Sequence, residues 1–356
     1  MSWSGLRTIV VLELRRRVRA TRWQVMLAAW GTVLLLMVLG LGSAAVTSGT
    51  GLAAVAPLLY DTVLCFVLGV GLIVAPTLSA TSVNGDRADA TLALVQATAL
   101  RSREIAVGKL VAAWLAAIAF LAVALPFLVV LAGLGGATWQ VLLGHLLVLV
   151  TTLGAVCGIG LGFSSLAART SASAVLTYLA VATLVIGTPI VLTASSAAVR
   201  DDQTVVHYRI DYGASTSTQT VCAAEPSTRT DTIFRTERIW WMVAPNPFAA
   251  LSDVSAREGR SRDRSQETPL AELGQAVNRM RVPSPSQVVY DDCSSPSDPA
   301  PARAGRARTR DVASDLSPFW PTTLLVLLVL GWGATETASR ELAVPAGHLA
   351  RGIRMA

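Results

Sequence analysis

Charge is missing from this chain over stretches as long as a bilayer is thick. Arg22 is followed by no Asp, Glu, Lys or Arg until Asp61, Lys109 by none until Arg169, Arg169 by none until Arg200, and Asp315 by none until Glu336. A hydrocarbon core about 30 Å thick is crossed by roughly 20 apolar helical residues rising 1.5 Å each. The longer blocks must therefore double back, and turn-forming clusters show where: Gly40-Leu41-Gly42-Ser43, Thr47 to Gly51, and Gly133 to Thr138. Six spans are predicted, over Trp23 to Val46, Ala54 to Ala80, Leu110 to Leu134, Val141 to Ala167, Ala174 to Ala194 and Pro318 to Ala334. The blocks lack the alternation of barrel strands, which leaves helices as the spanning element.

Composition agrees with a polytopic membrane protein. Of 356 residues, 53% are hydrophobic and 15% charged, where a soluble domain carries about 25% charged residues. The formal net charge of +6 does not point to nucleic acid, because the basic residues are divided between the span ends on one side and a long loop that also holds carboxylates. Arg7, Arg15, Arg16, Arg17, Arg19, Arg22, Arg87, Arg101, Arg103, Lys109, Arg169, Arg340, Arg351 and Arg354 fall on one side of the predicted spans, whereas the short loops near Thr47 to Ala53 and Gly135 to Gln140 carry no Lys or Arg. The positive-inside rule then places both termini in the cytoplasm and the segment from Arg200 to Asp315 outside. No cleavable signal peptide is expected: the first apolar block is long and follows a charged segment.

The expected architecture is an all-α polytopic membrane protein with six transmembrane helices. Residues 1–22 form a cytoplasmic interfacial helix, 23–199 hold spans 1 to 5 including a coupling loop at 81–109, 200–316 form an extracellular loop domain, 317–335 hold span 6 and 336–356 a cytoplasmic tail. In the first segment Trp3, Leu6, Val10, Leu14 and Val18 recur at helical spacing beside a cluster of arginines, as an interfacial helix with snorkelling cations would require. The outer loop is expected to form a small mixed cap. Thr204 to Tyr212 alternates like a strand with Val206, Tyr208, Ile210 and Tyr212 on one face, a second strand is expected at Thr230 to Ile239, and Trp240-Trp241-Met242 suits a membrane interface. Asp253 to Gln266 reads as polar chain, and Ser294 to Arg310 is too rich in Ser, Pro, Ala and Arg to fold.

Several residues stand out against this background. Asp61 is the costliest group in the spans; a span that begins at Ala54 puts it inside the helix facing a polar pathway, and one that begins at Leu58 leaves it at the outer boundary. His145 reads as a hydrogen-bonded interfacial histidine. Gly154, Gly158 and Gly162 make two overlapping Gly-x-x-x-Gly steps that suit close helix packing. Pro76, Pro126 and Pro189 mark kinks in spans 2, 3 and 5. Cys65 and Cys157 lie within spans, while Cys222 and Cys293 lie in the outer loop, where an oxidising exterior favours their pairing.

The connection between spans 2 and 3 carries the most specific signal. Asp86 and Asp89 suit the start of a short amphipathic helix, and Leu92, Leu94, Val95 and Leu100 give it an apolar face. Asp86-Arg87, Asp89, Thr91-Leu92, Leu100-Arg101-Ser102 and Gly108-Lys109 follow one another in the order found after span 2 in the ABC transporter permease family of the second exporter type, which this sequence resembles. That family usually has glutamates where aspartates stand here, a glycine at Ala90 and a proline at Ala99. The N-terminal basic helix and the segment Ala244-Pro245-Asn246-Pro247-Phe248-Ala249-Ala250-Leu251 extend the resemblance, which covers nearly all the membrane part and little of the outer loop.

The resemblance implies a permease subunit, dimerised with a second copy or a paralogue in the plasma membrane, exporting an amphipathic substrate such as a drug, lipid or peptide. Energy would come from a separate ABC ATP-binding subunit carrying ATP and Mg, contacted by Asp86, Arg87, Asp89, Thr91, Leu92, Leu100 and Arg101. No Gly-x-x-x-x-Gly-Lys-[Ser/Thr] loop, His-Glu-x-x-His pair or Gly-x-Ser-x-Gly turn occurs in the chain, so it is expected to bind no cofactor itself and not to be an enzyme. The alternative is a membrane anchor or signalling subunit that transports nothing.

Overall fold

A computed structural model describes residues 3–89, 100–215, 221–258, 268–292 and 316–343. The chain is mostly helical. It contains six helices long and apolar enough to cross a membrane: Thr21–Thr47, Leu52–Ala88, Ser102–Leu134, Trp139–Leu166, Thr170–Val199 and Trp320–Glu341. This makes it a multi-pass helical membrane protein by length and composition.

In finer detail, helix α1 (Trp3–Val18) precedes α2 (Thr21–Thr47), α3 (Leu52–Ser79) and the short α4 (Asn84–Ala88). Then come α5 (Ser102–Leu134) and α6 (Trp139–Leu166). The fifth span is broken into α7 (Thr170–Ala182), a π-helical turn (Thr183–Gly187) and α8 (Thr188–Ser196). Beyond it lie β1 (Arg200–Tyr208), β2 (Ser227–Phe234), α9 (Pro247–Glu258), α10 (Pro269–Met280) and β3 (Gln287–Asp291), and the last span is α11 (Trp320–Glu341). Two of the three expected turn clusters are turns: α2 ends at Thr47 and is followed by Gly49 and Gly51 at positive φ, and Gly136 takes positive φ between α5 and α6, whereas Gly40 to Ser43 lies inside α2.

Helix α6 is the centre of the bundle. Its flanks pack on α3, α5 and α11, and Val148, Leu149, Leu153, Val156 and Cys157 are buried in one continuous apolar core with Leu64, Leu68, Phe120 and Leu128. Trp30 is fixed by an indole N–H donated to Phe120 O at 3.1 Å, and Trp114 donates to Val150 O at 2.8 Å. The outward faces of α2 and of the fifth span carry exposed Leu36, Leu39, Val175, Leu179 and Ile190, the pattern expected of helices that meet lipid rather than water.

The segment between the fifth and sixth spans differs from its expected form. Strand β1 is central in a three-stranded sheet of order β2-β1-β3, antiparallel to β2 and parallel to β3. Val205 is its one buried residue, Val206 is half-buried and Tyr208 exposed, and the strand ends at Tyr208, so Ile210 and Tyr212 of the expected strand lie beyond it. Strand β1 is paired on both edges, with Thr204 opposite Thr230 and Gln287 at once, and β3 was not foreseen. The second strand runs over Ser227–Phe234, not to Ile239; Thr236–Arg238 and Trp240–Val243 are 3₁₀ turns.

Polar chain from Asp253 onward is the larger surprise. It continues helix α9, in which Ala250, Leu251 and Val254 join the same core as the spans. Asp253 is fully buried and accepts hydrogen bonds from Asn278 Nδ2 at 3.0 Å and from the backbone N–H groups of Phe319 and Trp320 at 2.8 and 3.1 Å. The carboxylate thus caps the start of α11, where unsatisfied amides favour an anion. Residues 294–310, expected to be unfolded, lie outside the described residues, as does Cys293.

Candidate functional site

The chain leaves α3 at Ser79 and enters α4 through a turn whose backbone is held from two other spans. Asn84 is buried, and its side chain donates from Nδ2 to Ser173 Oγ of α7 at 2.9 Å and accepts at Oδ1 from Ser164 Oγ of α6 at 3.1 Å. Ser164 Oγ in turn accepts the N–H groups of Val83 at 3.0 Å and Asn84 at 3.3 Å, and Ser173 Oγ donates to Ala80 O. A buried amide has both donors and acceptors to satisfy. Here the partners come from two other spans, so the turn cannot shift without moving the ends of α6 and α7.

Two residues on, Asp86 faces Lys109. Lys109 in the second turn of α5, its side chain 3% exposed, donates to Asp86 Oδ2 and, at 2.8 Å, to Glu13 Oε1 of α1. A cation this deep is tolerated because two carboxylates surround it. Helix α1 fits the site closely: Ile9 lies against Gly108, where a Cβ would fall 2.8 Å from the isoleucine side chain, and Arg17 Nη2 donates to Leu78 O at 2.9 Å. Burial holds the Arg17 guanidinium below its usual pKa, countered by the nearby Glu13.

Gly5 and Ile9 are the buried residues of α1, and Glu13 and Arg17 continue that face toward the bundle, while Leu6, Val10 and Leu14 are half-buried. Trp3 and Val18 are exposed. From the face toward the bundle Glu13 accepts a hydrogen bond from Lys109, and Arg17 donates to the Leu78 carbonyl.

Of the residues singled out in the connection, Asp86, Arg87 and Asp89 share the α4 turn. Arg87 is half-buried and Asp89 exposed. Asp89 follows the last residue of α4 and so stands at its C-terminal end, not in the first turn. Thr91 and Leu92, with Leu94 and Val95, lie outside the described residues. Leu100 is half-buried against the cluster of Ile9, Val83, Ile105 and Leu342. Exposed Arg101 immediately precedes α5, its backbone N–H accepted by Glu104 Oε2 at 3.2 Å. Beside it Arg103 stands 3.5 Å from Glu336 of α11 and over the Trp332 ring.

The remaining candidates lie elsewhere. Gly158 and Gly162 face α11: a Cβ on Gly158 would fall 2.5 Å from Gly331 O, and one on Gly162 2.9 Å from Ala334 O, whereas Gly154 meets the Trp114 indole. Asp61 is buried within α3, which begins at Leu52. Its neighbour Tyr60 contacts His145 Nδ1 at 2.9 Å, while His145 Nε2 lies 3.2 Å from Leu251 O and 3.1 Å from Ser255 Oγ. His145 is thus a buried, hydrogen-bonded junction between α3, α6 and α9. Cys65 and Cys157 are free thiols, and no group of His, Cys, Asp and Glu suited to a metal occurs among the described residues.

Sequence reading missed Asn84, Ser164 and Ser173. Each is a small polar residue at the end of an apolar block, a place where solvated turns are ordinary, and nothing in their spacing links them. Glu13 was legible in principle, as the lone carboxylate in a basic helix. No family model matches the chain, and no curated protein or solved structure is similar to it.

Proposed function

We propose that this chain is the membrane-spanning permease subunit of an ATP-driven ABC exporter, moving an amphipathic substrate with energy from a separate ATP-binding subunit. The observation that carries the reading is the attachment of the 80–89 turn to α1, α5, α6 and α7 through Asn84 and Asp86. Force applied to this turn by a partner's nucleotide cycle reaches four helices at once, which is what shifting a bundle between two access states requires.

In this reading both termini and α4 are cytoplasmic, α1 lies in the interface of the plasma membrane with its arginines among headgroups, and the three-stranded sheet is an extracellular cap braced by a Cys222–Cys293 disulfide. Arg87, Asp89 and Arg101 form the contact with the ATPase, while Asp86 transmits the movement inward to Lys109. ATP and Mg reside on the partner, and a second permease copy or a paralogue completes the transporter.

Co-purification with candidate ATP-binding subunits, followed by reconstituted ATP hydrolysis and transport, tests this. Arg87→Ala combined with Asp89→Ala leaves the Lys109 cluster intact and is expected to cut transport at least tenfold with the fold retained. A purified chain that assembles with no ATPase would favour the anchor or signalling role, and normal coupling in the double variant would remove the assigned contact.

A further inference from the structure

The fifth span contains a hinge, and we propose that Asn246 latches it. Proline has no N–H, so Pro189 cannot donate to Val185 O four residues earlier. Around that gap the helix widens to a π-turn over Thr183–Gly187, closed by Thr188 N–H donating to Thr183 O. π-turns inside α-helices are places where a helix bends. The donor that Pro189 lacks is supplied from outside the span: Asn246 Nδ2 donates to Val185 O at 2.9 Å and to Thr188 Oγ1 at 3.0 Å. The other end of the same amide accepts the Phe248 N–H at 2.9 Å and so starts α9.

The latch is the end of a longer chain of contacts. Helix α9 holds Asp253, which caps α11, and Leu251 and Ser255, which hold His145 of α6. The bend of the fifth span is thereby set by an element anchored to the two spans beside it. A cleft of about 420 Å³ lies between these three spans, lined by Ile159, Phe163, Thr183, Leu184, Leu330 and Ala334. Two of those residues belong to the π-turn itself, so a change in its bend changes the cleft. The hinge is a property of this chain whether or not it serves a transporter.

Spin labels at Val175→Cys and Val191→Cys, both on the exposed face and on opposite sides of the turn, report the bend in the full chain with Cys65 and Cys157 replaced by Ala. One distance population is expected for the parent. Asn246→Ala is expected to add a second population, and Pro189→Ala, which restores the backbone donor, to collapse it again in the double variant. An unchanged distribution in folded Asn246→Ala, or failure of Pro189→Ala to reverse the change, overturns the proposal. Should Asn246→Ala not fold, Pro189→Ala alone decides: a longer, narrower label distance supports the hinge, and an unaltered distance sinks it.

Discussion

Lys109 shows how a single residue can tie a bundle together. Its ammonium is nearly inaccessible and compensated by Glu13 and Asp86. Replacing it with Met would leave two carboxylates facing each other in a site built for a cation, at a cost of about 3–5 kcal/mol. Thermal unfolding in detergent should register that loss, and changing Glu13→Gln and Asp86→Asn together in the Lys109→Met background should recover most of it. The residue itself was visible in the sequence as the first charge before a long apolar run, but its burial was not. Hydropathy alone treats such a lysine as a snorkelling boundary marker, whereas the carboxylates of Asp86 and of Glu13, the latter nearly a hundred residues earlier on α1, turn it inward.

At the scale of elements the spans themselves were the readable part. Each observed helix contains or overlaps the predicted block, because lack of charge over bilayer length leaves the chain few alternatives. What could not be read was partner choice. The Gly-x-x-x-Gly steps of α6 say that something approaches closely, and the structure supplies Gly331 and Ala334 of α11. Gly158→Ala should therefore force the α6 and α11 backbones apart and cost about 1–3 kcal/mol, whereas Gly333→Ala, whose new methyl meets nothing within 4 Å, should be neutral; paired melting curves make the comparison. The sheet invites a different test. Arg235 Nε donates to Asp201 at 2.9 Å, and that hydrogen bond holds the Asp201 carboxyl below its ordinary pKa. A depressed folded-state value contributes stability at neutral pH that is lost as pH falls through it. Protection of the β1 amides, corrected for the intrinsic exchange rate at each pH, should fall on acidification below about pH 4, and Asp201→Asn should weaken that dependence. Strand pairing of this kind was illegible beforehand, since β3 is short and lies nearly eighty residues beyond β1.

For the molecule as a whole, the proposed topology makes a sharp forecast. Single cysteines at Thr50 and Thr228 should react with a membrane-impermeant maleimide on intact cells, while Arg15→Cys and Arg340→Cys should react only after permeabilisation. Labelling of Arg15→Cys from outside would invert the assignment and with it the cytoplasmic position of α4. The turn at 80–89 and the α9 clamp stand at opposite ends of α6, joined through that helix. The sequence resemblance touched both ends, through Asp86-Arg87 at the first and Ala244 to Leu251 at the second, but the continuation of α9 past Leu251 reads as a polar loop: Ser252, Asp253 and Ser255, with Asn278 of α10, are buried polar groups, which a hydropathy scan counts as solvent-facing.

The cap that Asp253 places on α11 bears on how the protein is made. The ribosome emits α9 before the last span, so during synthesis a buried carboxylate waits for amides that do not yet exist. Bundle assembly must finish with that final insertion, and a nascent chain arrested upstream of Phe319 would display to the cell's quality-control proteases an aspartate with no helix to receive it.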